Sequence, residues 1–233
     1  MRQDNYTNKI IKISIIEDSE ILREWLQAEL LDHPKIEIVS VDRFGRVGIE
    51  SVKFHRPDLV ILDFQLEDIT GLEVSKRIKS SNENVKIFII TAHFEISIVE
   101  RLISDKNIDA IAIKRSHYFE ENLLSAIQHV INGGTYLDPS LLKKLRESNS
   151  LVGLSKLTKR EFEVFIQASS GKTDAKIAED LYVELAHVKN IKSRVAKKVR
   201  EDDINYFLSK LIENSSSNQD HFANGKNDFL RKL

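Results

Sequence analysis

Four short apolar runs in this chain each end at a charged or hydroxyl residue, and this repetition constrains the fold more than any other feature. The runs are rich in isoleucine and valine, and the polar residues that close them are Glu17 with Asp18, Asp63, Thr91 and Lys114. Runs of this kind are typical of strands buried on both faces of a parallel sheet. Because open parallel sheets bind ligands outside the carboxyl ends of their strands, these side chains are expected to form one site.

Helical patterns alternate with the strands and complete the fold prediction. A further strand is predicted at residues 36–39, and amphipathic helices are predicted at residues 19–31, 47–54, 71–78, 96–103 and 118–131. These repeats predict an α/β fold, a doubly wound parallel five-stranded sheet of the flavodoxin-like kind. The common strand order 2-1-3-4-5 would bring the three carboxylates together and place Thr91 and Lys114 on the same rim.

A cluster of three carboxylates needs protons or a cation, because each pair repels by about 4 kcal/mol at 4 Å and an effective dielectric constant of about 20. Oxygen ligands without histidine or cysteine suit Mg²⁺. Asp63 would then act as a carboxylate nucleophile toward a phosphoryl group, with Lys114 and Thr91 binding its equatorial oxygens. Any one of these residues alone is more often an ordinary strand end, but their joint placement favours a site.

Composition excludes several classes of protein. The chain of 233 residues has no cysteine, which excludes disulfides and thiolate metal sites. No apolar run approaches the roughly 18 residues of a membrane span, and the amino terminus lacks a signal-peptide pattern. We therefore expect a soluble cytoplasmic protein with no membrane association.

The carboxy-terminal part has a helical pattern and a basic surplus. Helices are predicted at residues 161–168, 173–181 and 185–199, and Thr158 with Glu161 forms a capping-box pattern. Two short helices before a longer one are typical of a helix-turn-helix. Residues 155–200 carry 11 basic and 6 acidic side chains, and residues 188–200 carry six basic and no acidic ones. An anionic partner such as the DNA major groove is therefore expected for this part alone.

These patterns divide the chain into four parts. We predict an α/β domain at residues 10–132, a linker at 133–153, a helix-turn-helix domain at 154–213 and a disordered tail at 214–233.

On these motifs, residues 10–132 resemble the receiver domain of two-component response regulators. The resemblance implies that Asp63 accepts the phosphoryl group from a sensor histidine kinase or a small phosphodonor, and that Thr91 and Lys114 complete the site. It also implies that Glu17, Asp18 and Asp63 bind Mg²⁺. Three positions depart from the family pattern: Glu67 and Arg115 stand where proline is common, and Ile111 replaces the usual switch aromatic.

Residues 157–199 resemble the DNA-binding domain of LuxR/NarL/FixJ-type regulators. The resemblance implies double-stranded DNA as a partner, a homodimer when active, base-edge positions at Lys189, Asn190 and Ser193, and phosphate contacts at Lys172 and Lys192. Val188 and Lys197 complete the predicted DNA-binding set. Two positions differ from the family: Glu184 replaces the usual serine cap and Ile191 replaces a common histidine.

The resulting hypothesis is a phosphorylation-controlled transcriptional response regulator that is not an enzyme. Two alternatives stay open. The receiver would serve only as a docking or dimerisation surface of a phosphorylation-independent DNA binder, or the chain would be a phospho-accepting adaptor that binds a protein and no DNA.

Overall fold

The computed structural model describes residues 10–92, 95–114, 116–148, 154, 156–170 and 172–199. By their packing the residues separate into two compact units, which divide between Ile89 and Ile90. The predicted disordered tail, and the departure at Arg115, lie outside the described residues.

Strands and helices alternate through the first part of the chain. The first unit contains β1 (Ile11–Ile16), α1 (Glu20–Leu31), β2 (Ile36–Asp42), α2 (Gly45–His55), β3 (Leu59–Asp63) and α3 (Gly71–Ser81). The division between the units falls inside β4 (Lys86–Thr91). The second unit continues with α4 (Ile96–Ser104), β5 (Ala110–Ile113), α5 (His117–Ile131), β6 (Tyr136–Leu137) and α6 (Pro139–Glu147).

The strands form one sheet in the order β2-β1-β3-β4-β5-β6. Strand β1 pairs in parallel with β2 and β3, and β5 pairs in parallel with β6. The doubly wound sheet and the order of its first five strands are confirmed, whereas the predicted count of five strands is short by one. Strand β6 has two residues, Tyr136 and Leu137, and is too short to show any periodicity in the sequence.

Burial explains why these runs form strands and helices. All five residues of β3 are buried, and β1 exposes only Lys12. A strand with no exposed face needs cover on both sides, which helices between parallel strands provide. Helix α1 supplies such cover with Leu22, Leu26 and Leu30, which are spaced by four residues and point to the same side.

The carboxy-terminal helices are α7 (Lys159–Ser169), α8 (Asp174–Asp180) and α9 (Leu185–Val199). The predicted capping box at the start of α7 is confirmed: the Thr158 side chain accepts from the Glu161 backbone, and the Glu161 side chain accepts from the Thr158 backbone. Helix α9 has the predicted bounds, and its apolar face buries Val188, Ile191 and Val195. In the described part of the chain, no helix is both long and apolar enough to cross a membrane.

Candidate functional site

The structure brings the three predicted carboxylates together at the carboxyl ends of β1 and β3. One oxygen from each of Glu17, Asp18 and Asp63 lies within 4.8 Å of the others. The register explains this proximity, because Ile16 of β1 pairs with Leu62 of β3 and the acidic residues come directly after them. Glu17 is fully buried, Asp63 is 2% exposed and Asp18 is half-buried.

Hydrogen bonds from neighbouring segments hold this acidic cluster in place. The Arg23 guanidinium in α1 donates to the carbonyl oxygens of Glu17 (2.7 Å) and Asp18 (2.8 Å). The Ser19 backbone N–H donates to Glu17 Oε1 at 3.0 Å, and the Gln65 N–H donates to Asp63 Oδ1 at 3.1 Å. Arg23 is a residue that the sequence patterns did not single out, although it lies one helical turn into α1.

Gly71 fits closely against the backbone of Asp63. Its N–H donates to the Phe64 carbonyl at 2.8 Å. A Cβ at this position would overlap the Asp63 carbonyl oxygen and stand 3.0 Å from the Phe64 Cα. Only glycine therefore lets α3 begin at this distance from the end of β3.

The loop after β3 is tied to the loop after β2. Glu67, which stands where proline is common in the family, forms an ion pair with Arg43. Asp68 accepts hydrogen bonds from the backbone N–H groups of Gly45 (2.8 Å) and Arg46 (2.9 Å) at the start of α2. Burial raises the pKa of Asp68, but these backbone hydrogen bonds outweigh burial and the net shift is downward.

In the second unit, Thr91 and Lys114 lie at the ends of β4 and β5. The Lys114 N–H donates to the Thr91 carbonyl at 2.8 Å, and Thr91 is fully buried. Ile111, at the position of the usual switch aromatic, is fully buried within β5. A common site of Thr91 and Lys114 with the acidic cluster stays a prediction from the strand order.

The donor set of the acidic cluster suits a hard divalent cation. All its ligand atoms are carboxylate oxygens, which Mg²⁺ and Ca²⁺ prefer over nitrogen and sulfur. Two of the three carboxylates have almost no contact with water, so their mutual repulsion is weakly screened. A bound cation would remove this repulsion.

Helix α9 exposes four of the predicted DNA-binding residues. Lys189, Asn190, Ser193 and Lys197 are all exposed, at spacings that place them on neighbouring positions of one helical surface. Lys198 instead binds Glu161 of α7 at 2.7 Å. Burial raises the pKa of Glu161, but the bonds from Lys198 and Thr158 outweigh it and the net shift is downward.

The structure places the other three predicted DNA-binding residues differently. Val188 is fully buried. The Lys192 ammonium lies 2.7 Å from Asp174 Oδ1, with both side chains only 6% exposed, and burial lowers the pKa of Lys192. Lys172 is partly exposed and binds Asp180 at 2.6 Å. The first two side chains therefore face the interior, not a surface where a phosphate would bind.

Comparison with known proteins agrees with the fold. Residues 13–128 match the response regulator receiver domain family. The response regulator protein VraR of Staphylococcus saprophyticus is 25% identical over 210 residues, covering 87% of this chain and 99% of VraR. The transcriptional regulatory protein LnrK of Bacillus subtilis is 27% identical over 207 residues, covering 83% of this chain and 93% of LnrK.

A solved structure supports the same architecture. The RcsB response regulator of Salmonella typhimurium, studied for conformational dynamism in DNA interaction, aligns with a TM-score of 0.56 at 20% identity. The alignment covers 85% of this chain and 97% of the RcsB chain, and at this identity it shows the fold. With the family match and the strand order in agreement, residues 13–128 of this chain belong to the response regulator receiver domain family.

Proposed function

We propose that this chain is a DNA-binding transcriptional regulator controlled by phosphorylation of Asp63. The observation that carries the proposal is the convergence of Glu17 and Asp18 with Asp63 at one sheet edge. The phosphoryl donor would be a sensor histidine kinase or a small phosphodonor. Because the phosphoryl group would be transferred to the chain's own Asp63 carboxylate, the chain would not act as an enzyme on a separate substrate. It would act in the cytoplasm, the compartment that holds its target DNA.

The chemistry at Asp63 is a phosphoryl transfer. A carboxylate oxygen of Asp63 would form a bond to phosphorus while the bond from phosphorus to the donor's nitrogen or oxygen breaks. Mg²⁺ held by Glu17, Asp18 and Asp63 would supply the positive charge that offsets the carboxylates and the incoming phosphoryl group. The hydrogen bond from Gln65 fixes one side of the Asp63 carboxylate for this step. Lys114 and Thr91 would bind the phosphoryl oxygens.

The exposed surface of α9 supports DNA as the partner. Lys189, Asn190 and Ser193 would meet base edges in the major groove, and Lys197 would meet a phosphate. Lys172 would add less, because Asp180 already offsets its charge. LnrK is named a transcriptional regulator, and DNA interaction is reported for RcsB. A homodimer would place two such helices on half-sites about one helical turn apart.

The labelling of Asp63 tests the phosphoryl-transfer part of this proposal. We would incubate the full chain with Mg²⁺ and acetyl phosphate and locate the modification by mass spectrometry after borohydride trapping. The expected result is one phosphoryl group per chain before reduction and, after borohydride, reduction of the Asp63 side chain to its alcohol. Both signals should be lost in Asp63→Asn and kept in the exposed control variant Asp32→Ala. Unmodified wild-type protein, or equal labelling in Asp63→Asn, would contradict it.

A second candidate function is a phosphorylation-independent DNA binder, favoured by the buried Ile111 where an aromatic switch residue is usual. It predicts normal DNA binding by Asp63→Asn and no response to phosphorylation. The adaptor hypothesis predicts instead that DNA affinity lacks the steep salt dependence of phosphate contacts.

A further inference from the structure

Asp138 connects two segments of the second unit that are far apart in sequence. It is fully buried and lies between β6 and α6. Its backbone N–H donates to the Ile111 carbonyl at 2.9 Å, as part of the pairing between β5 and β6. Its side chain reaches back to the loop between β5 and α5 and also caps α6. A buried carboxylate with this many bonds fixes both segments.

The two carboxylate oxygens of Asp138 have different partners. Oδ1 accepts from the Ser140 N–H at 2.8 Å, which is the ordinary cap of α6. Oδ2 accepts from the Ile113 N–H at 3.3 Å and from the Ser116 hydroxyl through a short hydrogen bond. Capping α6 therefore uses one oxygen, and holding the loop after β5 uses the other.

The loop that Oδ2 holds is the one that carries Lys114. Ile113 and Ser116 flank Lys114 in sequence, and the Lys114 N–H is bonded to the Thr91 carbonyl. Ser116 also caps α5, because its side chain accepts from the Phe119 N–H at 3.0 Å. A shift of the Lys114 loop would therefore break the Oδ2 bonds or move Asp138 with it.

The far end of α6 is attached to the first helix of the DNA-binding segment. The Arg146 guanidinium donates to the Leu157 carbonyl at 3.0 Å and stands over the Phe162 ring, 4.2 Å from its centroid. Between the two ends, α6 buries Leu141, Leu142 and Leu145. Helix α6 thus joins the Lys114 loop to the start of α7 through packed side chains and hydrogen bonds.

We propose that Asp138 is a positioning residue for the reaction at Asp63: its Oδ2 sets the Lys114 loop, and α6 transmits a change in that loop to the DNA-binding helices through Arg146. This inference rests on the proposed function. Within the second unit it gives a route from the Lys114 loop to α7 that does not need the aromatic residue absent at position 111. The ordinary alternative is that Asp138 only caps α6.

The variant Asp138→Asn separates the two roles, because an amide has one acceptor oxygen and can cap α6 while it no longer accepts from Ile113 and Ser116. Labelling of the full chain by acetyl phosphate with Mg²⁺, followed by decay after donor removal, would give rates of formation and loss. We expect at least one of these rates to change by about fivefold or more, with the circular dichroism of the folded protein unchanged.

Two further variants keep the proposal falsifiable if Asp138→Asn does not fold. Ser116→Ala removes one Oδ2 bond without touching the α6 cap and should change the same rate in the same direction. Arg146→Gln should leave both rates within about twofold of wild type but reduce the change in DNA affinity that beryllofluoride causes.

Wild-type rates in both Asp138→Asn and Ser116→Ala would overturn the positioning role and leave Asp138 as a cap. An unchanged DNA response in Arg146→Gln would overturn the transmission through α6. No labelling of wild-type Asp63 would refute the proposed function, and this inference with it.

Discussion

The acidic cluster at the ends of β1 and β3 and the basic surface of α9 are both expected to bind phosphate, but they differ in burial and in how their side chains are held. In the acidic cluster, Glu17 and Asp63 are buried, and hydrogen bonds from backbone N–H groups hold them in place. On α9, Lys189 and Lys197 are exposed, while Lys192 of the same helix is buried against Asp174. A site for phosphoryl transfer requires groups that are held in fixed positions and shielded from water. A DNA-binding surface instead requires long, exposed, positively charged side chains that can adjust to the duplex.

The largest expected effect concerns the buried ion pair of α9. Lys192→Met or Asp174→Ala should each lower the free energy of unfolding by about 3 kcal/mol, because either change leaves an uncompensated buried charge. The double variant should lose much less than the sum of the two. Urea unfolding of the four proteins gives these values. Effects within about 0.5 kcal/mol for both single variants would show that Lys192 is exposed like Lys189 and Lys197.

A buried histidine of α5 gives the second effect. Burial lowers the pKa of His129 from 6.5 to about 4. Above pH 6.5 the ring is neutral in both states, but as the pH falls from 6.5 towards 4 only the unfolded chain takes up the proton. Stability should therefore fall by about 3 kcal/mol across this window and level off below it.

Unfolding free energies measured at several pH values would test this. The variant His129→Gln should lose that part of the pH dependence, and His117→Gln, at an exposed histidine, should retain it. An unchanged profile in His129→Gln would contradict the prediction.

The close approach of α3 to the acidic cluster gives the third effect. Gly71→Ala should cost about 2 kcal/mol of stability, because its methyl group overlaps the Asp63 carbonyl and the backbone must shift. The same shift moves Asp63, so acetyl phosphate labelling should slow as well. Lys76→Ala, at an exposed position of the same helix, is the matched control for thermal unfolding and labelling. If Gly71→Ala has the stability and labelling rate of wild type, the acidic cluster tolerates displacement of the Asp63 backbone.

The smallest effect separates exposed from buried lysines on α9. Lys197→Ala should weaken DNA binding similarly on all sequences and reduce the slope of log affinity against log salt by about 1. Lys192→Met should leave that slope unchanged, because its ammonium already pairs with Asp174. Fluorescence anisotropy at several salt concentrations measures both slopes. Equal slopes of log affinity against log salt for Lys197→Ala and wild type would show that Lys197 does not contact a DNA phosphate.

Much of the fold was predictable because it depends on local periodicity. Strands β1 to β5, the capping box of Thr158 and Glu161, and the bounds of α9 all follow from patterns within a few residues. The acidic cluster followed from strand order, since consecutive parallel strands leave few topologies. The orientation of Lys192 was also present in the sequence, because it lies four residues after Val188 and three before Val195, on the apolar face.

The remaining features depend on contacts between distant residues. The pairing of Asp138 with Ser116 joins positions 22 apart, and no spacing rule connects a cap of one helix to the loop before another. Strand β6 is defined by its partner β5, since two residues carry no pattern of their own. Arg23 acts through carbonyl oxygens, which every residue has, so its partners could not be identified from residue types.

The most direct test of the central claim is the DNA affinity of the full chain with and without beryllofluoride, in Mg²⁺ and at one fixed salt concentration. Anisotropy on a fragment of its own promoter region would be measured for wild type, Asp63→Asn and Asp32→Ala. We expect beryllofluoride to tighten binding about tenfold for wild type and Asp32→Ala and to leave Asp63→Asn unchanged. Equal affinity in all samples would contradict control by Asp63 and favour the phosphorylation-independent DNA binder.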